Sequence, residues 1–501
     1  MTNPAPLDLR NRDAAFDALG ARTFDLAVIG GGITGAGIAR DAAMRGLSVA
    51  LIEERDVASG TSSRSSKMIH GGLRYLAQGD LALVREAASE RKIVQAIAPY
   101  LARETPFVLP ARNAAAIAKL RAGLWTFEKL GGVPKSRKHE VWSQADLAAR
   151  EPTLKSDRLA GAVVYPEYLT DDARLTLANV RSAAANGATV LNYAVAAALV
   201  LDNGQARAID VVDTLPGADG RRARLTARTI VNAAGPWVDA VRALEDGAAT
   251  PRLTLAKGVH LVIARPRLPV DRTIIFPAAD RRSLFAVPRG ATTYIGTTDT
   301  LYPRHDLWPT VTGEDVDYLL EASAGHFAIP PLSRVDVVSI WSGVRPLVHE
   351  DGKSTADTSR RDEVWTGPGG VLSVAGGKLT AYRKMAQRVV DTVETALGRK
   401  ISACRTADAA LVGGDGPPPG AGTDPAVEAA YAVVSKGALT LEDYWIRRSA
   451  RAWFDLDGGM AALEVAAATM APLLGWSPAR AAAEIAGCRT VRAGLMAAVG
   501  A

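Results

Sequence analysis

A glycine-rich turn and an acidic residue about twenty positions after it could together hold a phosphorylated nucleotide. The turn, residues 30–35, reads Gly-Gly-Gly-Ile-Thr-Gly and lies between the apolar run 26–29 and a helix-like segment, 36–45. A second apolar run, 48–52, then ends on Glu53. This order of strand, turn, helix, strand and acid is typical of a dinucleotide-binding unit.

The chemistry of the site explains these residue types. Glycines permit the tight turn, let backbone N–H groups approach a pyrophosphate and allow the helix to pack closely on the strand. The pyrophosphate then lies at the positive end of the helix dipole. Glu53 can accept a hydrogen bond from a ribose hydroxyl. The sequence therefore predicts a dinucleotide site.

The residues that follow Glu53 indicate which dinucleotide is bound. A serine-rich loop, residues 58–66, leads into a His-Gly-Gly turn at 70–72 and then into Arg74 and Tyr75. A nicotinamide domain has no need for such a loop at this place. A flavin needs additional hydroxyl and amide donors around its pyrophosphate and ring, and glycines let the backbone reach the ring edge. The loop therefore favours FAD.

This loop resembles the FAD-dependent glycerol-3-phosphate dehydrogenases, and the closely related glycerol-3-phosphate oxidases. Further segments resemble the same family in the same order along the chain, from about residue 24 to residue 388. These segments are 231–237, 257–260, 295–299, 342–346, 359–360 and 376–383.

The resemblance implies that the turn, the serine-rich loop and several later segments bind FAD. The residues concerned are Gly30, Gly32, Thr34, Gly35, Glu53, Thr61, Ser62, Ser63, Lys67, His70, Gly71, Gly72, Val195, Ala234, Gly235, Trp237, Gly377, Lys378, Leu379 and Thr380.

The substrate that the resemblance implies, sn-glycerol 3-phosphate, requires a phosphate clamp. Arg74, Arg345 and Arg360 are the candidates, because guanidinium groups donate bidentately to phosphate and stay charged. The residues predicted to donate hydrogen bonds to the glycerol part are Tyr75, Thr297 and Thr298.

Two histidines are candidates for the base that removes the proton of the C2 hydroxyl. His70 lies in the flavin-facing loop and His260 follows a Lys-Gly pair, and a neutral imidazole of either could accept the proton near pH 7. Lys378 is predicted to hold the negative charge of the reduced flavin or to contact the substrate. With Arg345, these residues form the predicted catalytic set.

The composition of the chain argues against metal-binding, nucleic-acid-binding and membrane-spanning proteins. The chain has 501 residues, a net charge of +6 and only two cysteines, without Cys-x-x-Cys spacing or a metal-binding cluster. Because no dense Lys/Arg run with interleaved aromatic residues occurs, nucleic acid is not a predicted partner. No stretch reaches the roughly 18 apolar residues of a membrane span. The prediction is a cytoplasmic protein that binds peripherally to the inner face of the cell membrane.

The predicted fold class is α/β, with a Rossmann-like FAD-binding domain, an antiparallel β-sheet substrate domain and a C-terminal helical domain. Residues 1–22 are predicted to form a polar leader, and a Pro/Gly linker at 413–422 to precede the helical domain. The predicted bounds are 23–98, 165–252 and 341–398 for the FAD-binding domain, 99–164 and 253–340 for the substrate domain, and 424–501 for the helical domain.

The predicted reaction is hydride transfer from C2 of glycerol 3-phosphate to N5 of FAD, with the electrons passed to a quinone. The predicted apolar contacts with the membrane are Trp445, Trp453 and Phe454 in the helical domain, with a place in the core of that domain as the alternative. Two alternatives stay open: an oxidase that reduces oxygen, and a flavin-binding sensor without turnover. The sequence also leaves open whether the protein is a homodimer.

Overall fold

The computed structural model describes residues 6–71, 80–130, 132, 138–349, 362–414, 419–420 and 422–500. The strands within these residues are β1 (Phe24–Ile29), β2 (Val49–Ile52), β3 (Met68–Ile69), β4 (Arg103–Ala111), β5 (Glu140–Ser143), β6 (Gly161–Leu169), β7 (Thr189–Leu191), β8 (Ala194–Asp202), β9 (Gln205–Asp213), β10 (Arg222–Asn232), β11 (Leu253–Ala264), β12 (Thr273–Pro277), β13 (Ser283–Arg289), β14 (Thr292–Gly296), β15 (Thr300–Leu301), β16 (Val337–Val348), β17 (Asp362–Thr366) and β18 (Leu372–Gly376).

The α-helices of the described residues cover the sheets and form most of the C-terminal region. They are α1 (Arg12–Gly20), α2 (Ile33–Met44), α3 (Leu81–Ile97), α4 (Ala114–Leu130), α5 (Gln144–Arg150), α6 (Asp172–Ala185), α7 (Val238–Glu245), α8 (Gly313–Ala324), α9 (Tyr382–Ala396), α10 (Pro425–Lys436), α11 (Arg451–Phe454), α12 (Ala462–Leu474) and α13 (Pro478–Met496).

The first sheet has the order β17-β18-β10-β1-β2-β7, and β8 and β9 extend it beside β10. The pairs from β18 through to β7 are parallel. Parallel strands that are covered on both faces read as continuous apolar runs, and the central strands β1 and β2 do so. The apolar side chains of α2, α6 and α9 cover one face of this sheet.

The opposite face of this sheet packs against α1, where Phe16 and Leu19 are buried. The prediction of a polar leader over residues 1–22 is therefore wrong for the described part of that segment. The helix has only these two large apolar side chains among its nine residues, too few to show from the sequence that it packs on the sheet.

The second sheet has the order β15-β11-β14-β13-β12-β4-β6-β3, with β16 beside β11 and β5 beside β6. Its pairs are antiparallel except for β4 and β12, which run parallel. The predicted domain boundary at residue 341 falls inside β16. That strand pairs with β11 from Val348 to Val337, so it continues the second sheet rather than starting a segment of the first.

The C-terminal region packs around buried aromatic side chains, and its α-helices flank a π-helical turn at Asp443–Arg448. Trp445 and Trp453 are each 1% exposed and Phe454 is half-buried. The prediction that these three residues contact a membrane is therefore wrong, because they fill the core between this region and the second sheet. Among the described helices, none is long and apolar enough to cross a bilayer.

Candidate active site

A cavity of about 500 Å³ lies at the carboxyl ends of β1 and β10, against β11 and β16 of the second sheet. Open α/β sheets bind ligands at this edge. Residues of both sheets line this cavity. A ligand that extends from the glycine turn to β16 would therefore contact both sheets. Of the residues predicted from the sequence, the lining includes Gly30, Gly32, Thr34, Glu53, Thr61, Ser62, His70, Val195, Ala234, Gly235, Trp237, His260, Arg345, Gly377, Lys378 and Leu379.

The glycine turn has the close backbone packing that its sequence predicts. A Cβ atom on Gly35 would overlap the carbonyl oxygen of Gly30, and Gly30 itself has a φ of +110°. Burial raises the pKa of Glu53. Backbone N–H groups that donate hydrogen bonds to its carboxylate act in the opposite direction and lower the pKa. One of these is Gly31 N, 2.6 Å from Oε2. The carboxylate is therefore held at the cavity wall, and its contact with a ribose stays a prediction.

The serine-rich loop closes over the N-terminus of α2. Ser62 Oγ accepts a hydrogen bond from Ile33 N at 2.9 Å, and Thr61 Oγ1 donates to Val344 O at 2.6 Å. The loop thereby joins the turn of the first sheet to β16 of the second. Hydroxyl groups and backbone amides surround the place where a pyrophosphate would lie, so the residues present fit FAD.

Lys67 and Ser63 do not line the cavity but support the loop from beneath. Lys67 Nζ contacts Asp172 Oδ1 at 2.7 Å and Ser63 O at 2.8 Å. The other oxygen of Asp172 accepts hydrogen bonds from the backbone N–H and the hydroxyl of Ser65. Asp172 was not among the predicted residues. Its only sequence signal is its position at the start of α6, where an acid is also expected as a helix cap.

His260 is a buried side chain that lines the cavity. Burial, with Arg345 and Lys67 nearby, lowers the pKa of His260 well below its usual value. Its ring stacks on Trp341 with centroids 4.7 Å apart, and its Nε2 lies 2.9 Å from Ser66 Oγ. Ser66 and Trp341 were not predicted as site residues, because neither a serine nor a tryptophan indicates an active site when only the sequence is known.

Arg345 projects from β16 beside His260 on β11. Its guanidinium donates to Asp299 Oδ1 and to Thr297 Oγ1, each at 3.1 Å. Thr298 Oγ1 accepts a hydrogen bond from Val259 N at 3.0 Å, so this hydroxyl serves the β11 backbone. Neither threonine is among the residues that line the cavity, but Thr297 accepts a hydrogen bond from Arg345, which does line it.

The flavin-facing loop at His70 is braced by the start of α9. Thr380 Oγ1 accepts from His70 N at 3.2 Å and donates to His70 O at 3.1 Å. Gly71 N donates to Glu167 Oε1 at 3.0 Å, below the cavity wall. Thr380 and Gly71 thus position His70 without lining the cavity themselves. Four further predicted site residues lie outside the described residues: Gly72, Arg74, Tyr75 and Arg360.

A parallel dinucleotide sheet, an acid at the end of β2 and a hydroxyl-rich loop over the cavity together define an FAD-type oxidoreductase. Similarity to known protein families supports the same class. The chain matches the family described as FAD dependent oxidoreductase over residues 25–383. Residues 420–481 match the family described as C-terminal domain of alpha-glycerophosphate oxidase.

Individual relatives indicate which group of FAD-dependent oxidoreductases the chain resembles. The chain is 42% identical over 400 residues to the aerobic glycerol-3-phosphate dehydrogenase of Staphylococcus aureus (strain MRSA252), covering 78% of this chain and 71% of the relative. Its structure matches the glycerol-3-phosphate dehydrogenase from Bacillus halodurans complexed with FAD, with a TM-score of 0.80 at 31% identity over 98% of both chains. The chain belongs to the family of FAD-dependent glycerol-3-phosphate dehydrogenases.

The predicted fold class and the predicted cofactor, FAD, are confirmed by these matches. The fold itself is shared more widely. The glycine oxidase from Geobacillus kaustophilus matches 78% of this chain with a TM-score of 0.57 at 23% identity.

Proposed function

We propose that the protein oxidises sn-glycerol 3-phosphate to dihydroxyacetone phosphate and passes the electrons to a quinone at a membrane surface. The observation that carries this proposal is the pairing of a cation with a neutral base. Arg345 and His260 lie on neighbouring antiparallel strands and line the same cavity as the predicted FAD residues. Bound FAD would supply the hydride acceptor.

In this proposal Arg345 binds the substrate phosphate. Thr297 and Asp299 fix the plane of its guanidinium, so part of the fork is oriented before substrate arrives. A fixed guanidinium loses less side-chain freedom when it forms its bidentate contact. The phosphate therefore places the C2 carbon at a constant distance from β16.

His260 receives the proton of the C2 hydroxyl at Nε2, by way of Ser66 Oγ. Ser66 lines the cavity and contacts that nitrogen at 2.9 Å. The imidazole is already neutral because burial opposes its charged form. Stacking on Trp341 holds the ring in one plane, so the nitrogen stays directed at the serine. Lys378, which also lines the cavity, would stabilise negative charge that develops on the bound acceptor.

The direct test is an anaerobic titration of the purified protein with glycerol 3-phosphate while the flavin absorbance is recorded. We expect one equivalent of substrate to bleach the flavin and a quinone analogue to restore the colour. If glycerol 3-phosphate leaves the absorbance unchanged, the protein is a flavin-binding sensor instead. Rapid reoxidation by air with release of peroxide, and none by the quinone, would identify an oxidase.

Removal of the phosphate clamp should separate phosphorylated from plain alcohols. We expect Arg345→Ala to weaken the binding of glycerol 3-phosphate by roughly 1.5–3 kcal/mol, since a charge-assisted hydrogen bond is lost. Glycerol has no phosphate to contact Arg345, so its binding should change little. The KM for each substrate measures the difference. An equal loss for both would show that Arg345 supports the fold or the flavin.

The proposed membrane contact is the outer face of α4. Ala118, Arg121, Ala122, Trp125 and Lys129 recur at helical spacing on that face. Trp125 is 52% exposed, and Lys129 Nζ lies 4.5 Å from its ring centroid. A helix with basic residues around an exposed tryptophan is typical of one that lies in the membrane interface.

The inner face of α4 connects this surface to the active site. A Cβ atom on Gly71 would overlap the ring of Phe127, which is buried beneath the flavin-facing loop. Arg91 lies over the same ring and pairs with Glu167, the acceptor for Gly71 N. A quinone that approaches from a membrane below α4 would therefore meet the protein next to the loop that carries His70.

A single acidic substitution tests this surface. We expect Trp125→Glu to reduce sedimentation of the protein with anionic vesicles severalfold, because it removes an apolar side chain and opposes the basic residues. The matched control is Leu301→Glu, which alters a 65% exposed side chain on β15. High salt should weaken binding of the native protein, since ionic attraction is screened. Equal binding of both variants would contradict the assignment.

A further inference from the structure

Asp172 is the first residue of α6, and its side chain is fully buried where that helix meets the serine-rich loop. Its two carboxylate oxygens bind different parts of one turn. Oδ2 accepts hydrogen bonds from Ser65 N at 2.9 Å and from Ser65 Oγ at 2.7 Å. Oδ1 lies 2.7 Å from Lys67 Nζ. The carboxylate therefore holds the residues on both sides of Ser66.

Other contacts fix the backbone of the same turn. Ser65 O accepts a hydrogen bond from Trp341 Nε1 at 3.2 Å. Ser66 O accepts one from the Tyr294 hydroxyl at 3.0 Å. Lys67 has a φ of +55°, a conformation that a residue with a side chain keeps only where its surroundings enforce it. The buried ion pair of the Lys67 side chain is one of the contacts that enforce it.

Ser66 connects this turn to the proposed base. Its Oγ lies 2.9 Å from His260 Nε2, whereas His260 Nδ1 has no hydrogen-bonding partner among the described residues. Asp172, Ser66 and His260 all line the active-site cavity. Since Ser66 belongs to the turn that Asp172 holds, a change at Asp172 reaches the imidazole through a single hydrogen bond.

We propose that Asp172 is a positioning residue, which aligns the Ser66 hydroxyl with His260 Nε2 by holding the turn 65–67. This role rests on the proposed function, in which the proton of the C2 hydroxyl passes to Ser66 Oγ while the Ser66 proton passes to Nε2. Asp172 takes no proton in this step, because both of its oxygens are engaged by the turn. A hydroxyl that is already aligned needs no reorientation before the proton moves.

Stopped-flow reduction of the flavin by glycerol 3-phosphate separates this role from substrate binding. We expect Asp172→Asn to lower the limiting rate about tenfold, a part of what a positioned general base contributes. Asparagine keeps the shape of the side chain, but its amide NH₂ group would face a donor, either Ser65 N–H or the Lys67 ammonium. The dissociation constant of the substrate should change little, since Arg345 is unaltered.

The matched control is Asp171→Asn, at the neighbouring acid. Asp171 is also buried and caps the same helix by accepting from Arg174 N, but its other oxygen pairs with Arg289. This variant should keep the native rate. In a Ser66→Ala background, Asp172→Asn should add little further loss, because both changes act on one hydrogen bond. Losses that simply add would overturn the assignment of Asp172.

A measurement without substrate keeps this role separate from the proposed function. NMR of the FAD-loaded protein with isotope-labelled histidine resolves the rings of six histidines, and loss of a signal in His260→Asn assigns that residue. We expect Asp172→Asn to shift the His260 Nε2 signal in the same direction as Ser66→Ala does. The signal of His326, which contacts Pro277 O at 2.8 Å in the second sheet, should not move.

The outcomes are distinguishable. An unmoved His260 signal in Asp172→Asn overturns the role of Asp172, even if glycerol 3-phosphate bleaches the native flavin. A shifted signal without bleaching of the native flavin removes the proposed function but leaves the alignment of Ser66 by Asp172 in place.

A charge-neutral variant serves if Asp172→Asn alone does not fold. Lys67→Met in the Asp172→Asn background removes both members of the buried ion pair, and such a replacement is tolerated better than the loss of one partner. We expect this double variant to keep FAD, as its visible spectrum would show, and still to reduce the flavin slowly. Recovery of the native rate together with FAD would mean that Asp172 only supports the loop, and would overturn its role in the proton transfer.

Discussion

His260→Asn is expected to lower the rate of flavin reduction by glycerol 3-phosphate by about 10²–10⁴-fold, the range for loss of a general base. Asparagine retains a polar side chain near Ser66 but cannot take up a proton. Because the glycine turn and the serine-rich loop are unaltered, the variant should still bind FAD, which its visible spectrum shows. Stopped-flow reduction under anaerobic conditions measures the rate directly.

Two companion variants show whether His260 itself is the base. Ser66→Ala should lose part of the rate, since it removes the hydroxyl that contacts Nε2. His70→Asn should retain more of the rate than His260→Asn, because His70 lines the cavity but has no role in the proposed proton transfer. The opposite order, with His70→Asn slow and His260→Asn fast, would assign the base to His70.

The pH profile of the native protein provides a third check. The lowered pKa of His260 means that the imidazole stays unprotonated as the pH falls through its usual value near 6.5. The kcat/KM for glycerol 3-phosphate should therefore remain level from pH 8 to below pH 6.5 and fall only in more acidic solution. A fall centred near 6.5 would indicate a solvent-exposed histidine as the base.

The sequence was sufficient to predict the FAD-binding unit because its signals are local. The apolar runs, the glycine turn and Glu53 lie within thirty residues, and each has a direct steric or hydrogen-bonding reason. The C-terminal helices were also evident from composition. The roles of their tryptophans were not, because an aromatic residue in an alanine-rich helix does not show whether the protein or a lipid covers it.

The supporting contacts of the site depend on residues that are distant in the sequence. Lys67 reaches Asp172, 105 positions away, and Ser66 reaches His260, 194 positions away. Thr297 was predicted to contact the substrate, which stays a prediction, and its hydrogen bond with Arg345 was not foreseen. The roles of His260 and Thr297 follow from the pairing of β11 with β14 and β16, and strand pairing of this range has no signature in a single sequence.

The buried ion cluster around Asp56 is the other structural feature with a large predicted effect. Arg447 and Arg448, from the π-helical turn of the C-terminal region, both pair with Asp56, 391 and 392 positions away. Arg448 Nη2 lies 2.8 Å from Asp56 Oδ1. Burial would raise the pKa of Asp56, but Arg448 and Arg447 outweigh it and hold the pKa below its usual range.

Asp56→Asn is expected to lower the free energy of unfolding by about 3–5 kcal/mol, because it leaves two buried guanidinium groups without their shared anion. Urea titration followed by tryptophan fluorescence measures this. The matched control is Asp210→Asn, which breaks an exposed pair with Arg224 and should cost about 0–1 kcal/mol. Since the native pKa of Asp56 is lowered, its contribution is present at neutral pH and is lost as the pH falls through that pKa.

A second substitution distinguishes charge from packing. If the unpaired charges cause the loss, Arg448→Met in the Asp56→Asn background should restore part of the stability, because an apolar side chain replaces one stranded cation. Arg447 retains its contact with Asp443 at 2.8 Å and should remain paired. Asp56 also lies three residues after Glu53, so FAD retention should fall in Asp56→Asn and recover in the double variant. If the double variant is less stable than the single one, the cluster acts through packing, and the electrostatic account fails.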